Sequence, residues 1–173
     1  MGIDVYYVRM KEAKLKELVA DPRRMSSLGM AGAQEPGEDL ASYAKRMLVL
    51  DNYWDSLHFL LTGKKFPTKP AAEIDNILSI ALAGAEPVGP SLSFGPARSI
   101  SAPLVEKIAK ALKSLQFDDL VEKYGPDDFK KADLYKYQDF DEEIESLEEY
   151  FPQLQEFYLD AAKANEAVLT YII

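Results

Sequence analysis

Cysteine is absent from this sequence of 173 residues, and histidine occurs once, as His58. Without cysteine the chain has no disulfide bonds, no thiolate nucleophile and no cysteine-ligated zinc or iron–sulfur centre. A metal bound to His58 would have to take its other side-chain ligands from carboxylates. The sequence therefore indicates no metal and no cofactor.

Long apolar runs are also missing. No segment reaches the roughly 20 apolar residues that a membrane helix needs. The first residues, Met1 to Asp4, lack the basic region and the apolar region of a secretion signal. The sequence therefore predicts no membrane association and a cytoplasmic location.

The common nucleophile and phosphate-binding motifs occur only in incomplete form. Gly89-Pro90-Ser91-Leu92-Ser93 begins like the Gly-x-Ser-x-Gly elbow of hydrolases, but a serine replaces the second glycine. Gly63-Lys64-Lys65 lacks the upstream glycine and the final Ser or Thr of a phosphate loop. No reaction can be assigned from motifs of this kind.

Charge is abundant but unevenly distributed. Residues 117–173 contain 16 acidic and 5 basic side chains, a net charge of −11, whereas residues 1–116 have a net charge of +2. Nucleic-acid binding needs a clustered basic face, so this composition disfavours it. An acidic region of this size favours a basic protein partner instead.

The most acidic segment lies at the start of a predicted helix. Its candidate partner-binding carboxylates are Asp141, Glu142, Glu145, Glu148 and Glu149. Acidic residues are also common at helix starts because they face the positive end of the helix dipole. A solvated helix face is therefore the alternative interpretation of this segment.

Residue patterns along the chain predict that residues 1–173 form one domain of the α+β class. Its small sheet contains the N-terminal and C-terminal strands, and several helices pack against this sheet. Strands are predicted at 2–9 and 167–173, the latter buried, and a short strand or extended edge at 91–94. A loop is predicted at 22–37. Helices are predicted at 11–20, from a cap at Asp51 to Leu61, at 71–83, from Ser101 to Leu115 and at 117–124. The last helix is predicted at 141–165 and continues across Pro152.

The segment Trp54-Asp55-Ser56-Leu57-His58 is the richest local combination of functional side chains. Asp55 and His58 lie three residues apart on a predicted helix, so both can face one side. A carboxylate in that position can orient an imidazole and raise its basicity, as in a general base or half of a metal site. The alternative is a half-buried histidine that packs beside Trp54.

Arg98 is the last arginine of the chain and follows the turn residues Gly95 and Pro96. Its planar guanidinium can bind a carboxylate or phosphate of a ligand. The alternative is a structural arginine that caps helix carbonyls or pairs with one of the C-terminal carboxylates. His58, Asp55 and Arg98 are thus the candidate catalytic residues.

The segment from Trp54 to Gly63 resembles the YfbM-like family of small bacterial proteins, whose pattern here is W-D-x-L-H-F-x-L-T-G. Residues 95–98 and 157–162 are similar to that family as well, and the resemblance spans essentially the whole chain. It implies a single α+β domain in the bacterial cytoplasm. It implies no mechanism, because the function of this family is unknown.

Two functional hypotheses follow from these observations. The first is a non-enzymatic protein-binding module that uses the acidic helix face, for example an immunity or inhibitor protein that blocks a toxin. The second is a small-molecule-binding protein or enzyme with a site around His58, Asp55 and Arg98, which requires these side chains to converge in a pocket. A structural homo-oligomer is a third, minor possibility.

Overall fold

Five strands and eight helices form the described part of the chain, residues 2–21, 34–67 and 76–173 of a computed structural model. In chain order they are β1 (Val5–Lys11), α1 (Glu12–Ala20), α2 (Leu40–Ala44), β2 (Met47–Leu50), α3 (Trp54–Thr62), α4 (Ile77–Ala83), β3 (Glu86–Leu92), β4 (Gly95–Ile100), α5 (Ala102–Lys113), α6 (Phe117–Lys123), α7 (Pro126–Ala132), α8 (Phe140–Lys163) and β5 (Glu166–Ile172). The predicted α+β fold class is confirmed.

The strands form one antiparallel sheet in the order β2-β1-β5-β4-β3. The two terminal strands, β1 and β5, pair with each other along their whole lengths. β5 lies between β1 and β4, and its residues 167–171 are buried, as its apolar sequence predicts. β3 is an edge strand, which accommodates Pro87 and Pro90 because proline has no N–H to donate to a neighbouring strand.

The two faces of the sheet contact separate apolar cores. Successive residues of a strand point to opposite faces, so Tyr7 and Val168 belong to one core while Val8 and Leu169 belong to the other. The larger core includes residues of α3 to α8, whereas the smaller one includes residues of α1 and α2. The sheet is therefore packed by helices on both faces.

α8 is a single helix of 24 residues that continues through Pro152. Its buried side chains include Leu147, Phe151, Leu154 and Tyr158, which follow the spacing of three and four residues seen in the sequence. The prediction of one helix across the proline is confirmed.

β2 is a strand that the residue patterns did not predict. Its four residues alternate between partly buried and buried positions and pair with β1. An apolar run this short does not distinguish a strand from a helix by periodicity. The predicted cap at Asp51 is wrong: α3 begins at Trp54 with Tyr53 at its N-cap, and the Asp51 carboxylate accepts a hydrogen bond from the Tyr150 hydroxyl.

Three other segments differ from the predictions or extend them. Residues 91–94 form the end of β3 and the turn of a β3–β4 hairpin, rather than a strand of their own. The helix predicted at 117–124 ends at Lys123, as α6. The next helix, α7, was not predicted; Gly125 is its N-cap and Pro126 lies in its first turn, where proline is tolerated. Of the predicted helix 71–83, α4 covers 77–83, and residues 71–75 lie outside the described residues, as do 22–33 of the predicted loop.

Candidate functional site

A cavity of about 470 Å³ opens among the start of α3, the end of β5 and the β3–β4 hairpin. Its polar lining residues are Asp55, Lys65, Arg98 and Thr170. The remaining lining is apolar or aromatic: Ile3, Trp54, Phe66, Pro67, Ala83, Phe94, Gly95, Pro96, Tyr135 and Ile172. The cavity thus combines an apolar interior with a few polar groups from separate elements.

Three of these residues, Trp54, Phe66 and Tyr135, form what we call the aromatic wall. The Trp54 ring centre lies 5.0 Å from that of Phe66, edge to face, and 5.2 Å from that of Tyr135, nearly parallel. The Trp54 indole N–H donates to the carbonyl of Ile3 (2.8 Å), and the Ile3 amide donates to the Tyr135 hydroxyl (3.1 Å). Ring contacts and hydrogen bonds together fix the position of this wall.

Asp55 holds two segments of the cavity wall in place. Its carboxylate is buried, at 2% exposure, and lies in the first turn of α3. Oδ1 accepts a hydrogen bond from the Phe66 amide (2.7 Å), and Oδ2 accepts one from the Tyr135 amide (2.9 Å). Asp55 thus joins the segment after α3 to the segment between α7 and α8.

His58 is also buried, at 2% exposure, but it does not line the cavity. Its Nδ1 lies 2.7 Å from the carbonyl of Lys64, and its Nε2 lies 2.7 Å from Oγ of Ser79. Because a carbonyl only accepts, Nδ1 carries the proton, and Nε2 accepts from the Ser79 hydroxyl. The imidazole therefore connects α3 to α4 and to the segment after α3.

Burial lowers the pKa of His58, while the Lys64 carbonyl and the negative charge of Asp55 act in the opposite direction. The ring is consequently neutral at pH 7. The structure supports the alternative interpretation, a packed histidine, although His58 is more deeply buried than expected. The two carboxylate oxygens of Asp55 accept hydrogen bonds from main-chain amides. Of the three candidate residues, Asp55 and Arg98 share the cavity and His58 does not.

Arg98 lies within β4, opposite Thr170 of β5 and beside the end of α4. Gly84 permits this close approach: a Cβ at Gly84 would lie 2.5 Å from Cβ of Arg98, and its φ of +78° favours glycine. Nη1 of Arg98 is 3.5 Å from the carbonyl of Ala83, the outer limit for a hydrogen bond. Burial lowers the pKa of Arg98, so water solvates this guanidinium less well than an exposed one.

Lys65 is the second cation at the cavity, and it is exposed. Its Nζ lies 3.5 Å from Oδ2 of Asp133 and also donates to the main-chain carbonyl of that residue. Arg98 is therefore the more buried of the two positive groups that border the cavity.

The five candidate partner-binding carboxylates, Asp141, Glu142, Glu145, Glu148 and Glu149, are all exposed on α8. None of them forms an ion pair within 4 Å with another residue in the described part of the chain. The acidic face is therefore open to solvent in this region.

Glu143, on the same helix, differs from them in being buried, at 7% exposure. Burial raises the pKa of its carboxyl, the nearby Ser56 hydroxyl lowers it and the charge of Asp55 raises it further. This residue is not among the candidates predicted from the sequence, although its position four residues before the buried Leu147 places it in phase with the apolar stripe. Phe66 and Tyr135 were missed too, and their sequence neighbourhoods contain no comparable signal.

Over residues 2–21, 34–67 and 76–173, the structure contains no group of three or more His, Asp or Glu side chains arranged to hold a metal ion. Across the same ranges, no helix is both long and apolar enough to cross a membrane.

Comparisons with known proteins identify the family. The chain matches the model described as "Domain of unknown function (DUF1877)" over residues 1–171. Its structure is similar to that of YfbM from Escherichia coli, a protein of unknown function, with a TM-score of 0.71 and 19% identity over 98% of this chain and 99% of that chain. No curated protein matches the sequence. The chain belongs to the DUF1877 family of unknown function.

Proposed function

We propose that this protein binds a small, largely apolar organic molecule in the cavity beside the aromatic wall. The observation that supports this function is the cavity itself, whose volume of about 470 Å³ lies within the range of roughly 300–1,000 Å³ for small-molecule sites. Such sites are mostly apolar and contain a few placed polar groups. The lining described above has this character.

The rigid surroundings of the cavity support the same proposal. Its walls come from α3, from the segments around Phe66 and Tyr135, and from β4 and β5. The hydrogen bonds of Asp55 and the ring contacts of Trp54 hold these separate segments together. A preformed site loses less conformational entropy when a ligand binds.

Trp54 makes the proposal directly testable, because it is the only tryptophan of the chain and lines the cavity. We expect neutral bicyclic aromatic compounds such as 2-naphthol and 2-naphthamide to shift its indole N–H resonance saturably. Substitution of Ala83, another lining residue, by leucine should fill part of the cavity and weaken this binding at least tenfold. The matched control is Ala44→Leu, which changes an exposed alanine of α2.

Two results would contradict the proposal. One is an unchanged Trp54 resonance with every compound at millimolar concentration. The other is equal affinity of the folded Ala83→Leu variant and the unmodified protein, which would place the compounds elsewhere.

A second candidate function is the binding of a basic protein, such as a toxin that the chain would inhibit, by the acidic face of α8. The favouring observation is that its five exposed carboxylates form no ion pair with other described residues. Complementary charge accelerates association and selects partners, and salt screens the interaction. Binding to such a partner should therefore weaken between low salt and about 0.5 M salt, where the Debye length is a few Å.

This second function is tested by comparing proteins captured by two charge-reduced variants at both salt concentrations. The test variant carries Glu142→Gln, Glu145→Gln and Glu149→Gln, and the control carries Glu86→Gln, Glu106→Gln and Glu122→Gln. A partner that the control retains and the test variant loses would support the acidic face. Capture that is insensitive to salt, or equal for both variants, would contradict it.

A further inference from the structure

We propose that the β3–β4 hairpin closes over a molecule bound in the cavity and that the ring of Phe94 contacts this molecule. This inference rests on the proposed small-molecule function and describes how the ligand is retained. The moving part is what we call the outer hairpin, residues 91–96, which contains the end of β3, the turn at residues 93 and 94 and the start of β4. Its residues 94–96 line the cavity.

Phe94 is a large apolar side chain that borders both the cavity and the solvent. It lines the cavity, although it is 54% exposed. Phenylalanine is usually buried, and within the described residues Phe94 belongs to neither of the two apolar cores. If its ring covers a molecule in the cavity, apolar surface of both is removed from water, which favours a closed hairpin.

The backbone pairing of the outer hairpin attaches it to the sheet at one end. β4 pairs with β5 through residues 98–100, and no residue of β5, which is described in full, pairs with residues 95–97. β3 lies at the edge of the sheet, so among the described strands it pairs with β4 alone. Pro96, which lies opposite Ser91, has no N–H to donate. The outer hairpin therefore extends beyond the part of β4 that β5 holds in place.

An irregularity in β3 lies at the base of the outer hairpin. The pairing register shifts between Val88 and Ser91, and Gly89, within this interval, has a φ of +75°. Such a bulge interrupts the hydrogen bonds between two strands and bends the bulged strand. Gly95, which follows the turn, has a φ of +107°. Two glycines in a conformation that favours glycine thus flank the turn, where no Cβ restricts a change in backbone direction.

The surroundings of the outer hairpin give its movement a direction. Leu92 packs against the smaller core, whereas Phe94 borders the open volume of the cavity. The hydrogen bonds of Asp55 to the amides of Phe66 and Tyr135 fix other walls of this cavity. Movement of the turn toward these walls meets open space, so the hairpin is the part of the lining that can adjust to a bound molecule.

Amide hydrogen exchange measures the opening of the outer hairpin. The probe is 2-naphthol at ten times its dissociation constant, which is read from the indole N–H resonance of Trp54. We expect it to slow exchange of the Leu92 and Gly95 amides about five- to tenfold, because a ligand that binds only the closed state lowers the open population by about this factor. The amides of residues 40–44, in α2, lie outside the cavity lining and should exchange at an unchanged rate.

Variants of Phe94 assign the retention of the ligand to its ring. Phe94→Ala should weaken binding of 2-naphthol about fivefold or more, since it removes an aromatic contact. Most of this loss should appear as faster dissociation in the line shape of the Trp54 resonance. Phe94→Tyr keeps the ring and should bind within about twofold of the unmodified protein. The control is Leu40→Ala, which shortens a leucine of α2 that is 73% exposed and should leave the affinity unchanged.

Each contrary outcome has its own meaning. Unchanged exchange of the Leu92 and Gly95 amides with 2-naphthol bound would overturn closure of the hairpin and leave the small-molecule function intact, and this measurement needs no variant. Equal slowing of the amides of α2 would overturn it too, because the effect would then be global. Equal affinity of Phe94→Ala and the unmodified protein would overturn the contact with Phe94. Absence of a Trp54 shift would overturn both proposals.

Discussion

Replacement of Asp55 by asparagine tests whether this carboxylate acts as the connector of the cavity walls. In the structure its two oxygens accept hydrogen bonds from the amides of Phe66 and Tyr135, at 2.7 and 2.9 Å. Asparagine has one carbonyl oxygen and one NH₂ group, so one of the two amides would face a donor instead of an acceptor. The other amide would keep a neutral acceptor in place of a charged one.

The expected cost follows from these two changes. A hydrogen bond to a charged group contributes about 1.5–3 kcal/mol, and a neutral one contributes about 1 kcal/mol. Losing one charged bond and weakening the other should therefore lower the free energy of unfolding by about 2–4 kcal/mol. Relief of the repulsion between Asp55 and Glu143 opposes this loss and favours the lower part of the range.

The assay is equilibrium unfolding in urea, followed by the fluorescence of Trp54, with Asp118→Asn as the matched control. Asp118 is an exposed residue in the first turn of α6, so its loss should cost less than about 1 kcal/mol through the helix dipole. Hydrogen exchange of the Phe66 and Tyr135 amides should be faster in Asp55→Asn. Equal stability of the two variants, or unchanged exchange at these amides, would refute the connecting role of Asp55.

Three further predictions concern Gly84, Glu143 and His58. Gly84→Ala should lower the free energy of unfolding by about 2–5 kcal/mol, since it combines a positive φ with a clash against Arg98. A smaller decrease in the free energy of unfolding, measured in urea, would contradict the close packing. The pKa of the Glu143 carboxyl is raised above 4.5, so above this pH the folded state binds more protons than the unfolded state and the unmodified protein loses stability as the pH rises. Glu143→Gln should therefore gain stability relative to the unmodified protein over the same range. A difference in unfolding free energy between the two proteins that is the same at pH 4 and pH 7 would count against this reasoning. The imidazole resonance of His58, the only histidine, should titrate below pH 6.5, because burial lowers its pKa. That shift means that the unfolded state binds more protons below pH 6.5, so the protein should lose stability there as the pH falls; an NMR titration midpoint at or above 6.5 would exclude the buried neutral ring.

In the structure, the residues of the motif at positions 54–58, which first suggested a site, have different roles. Trp54 provides a ring surface and Asp55 positions two main-chain segments, whereas His58 connects α3 to α4 from within the core. The catalytic roles considered for Asp55 and His58 stay predictions. A catalytic pair would need to be accessible to a reacting molecule, and these side chains are both buried and hydrogen-bonded to other groups.

Local patterns in the sequence predicted much of the fold because burial follows the period of the element. The stripe of α8 was visible across Pro152, and the apolar run of β5 indicated a central strand. β2 escaped prediction because four residues are too few to display a period, and its pairing with β1 is a contact between distant parts of the chain.

The sequence by itself determined which chemistry this protein has available, because it contains no thiol, one imidazole and an acidic C-terminal third. It also predicted the two terminal strands, which pair with each other in one sheet. Only the tertiary structure decided that Arg98 and Asp55 border one cavity while His58 turns into the core. The contacts that bring these groups together join residues as much as 80 positions apart, such as Asp55 and Tyr135. Spacing along a single element carries no information about such contacts, because they depend on how β4 pairs with β5 and on the hydrogen bonds that place the segments after α3 and α7 beside Asp55.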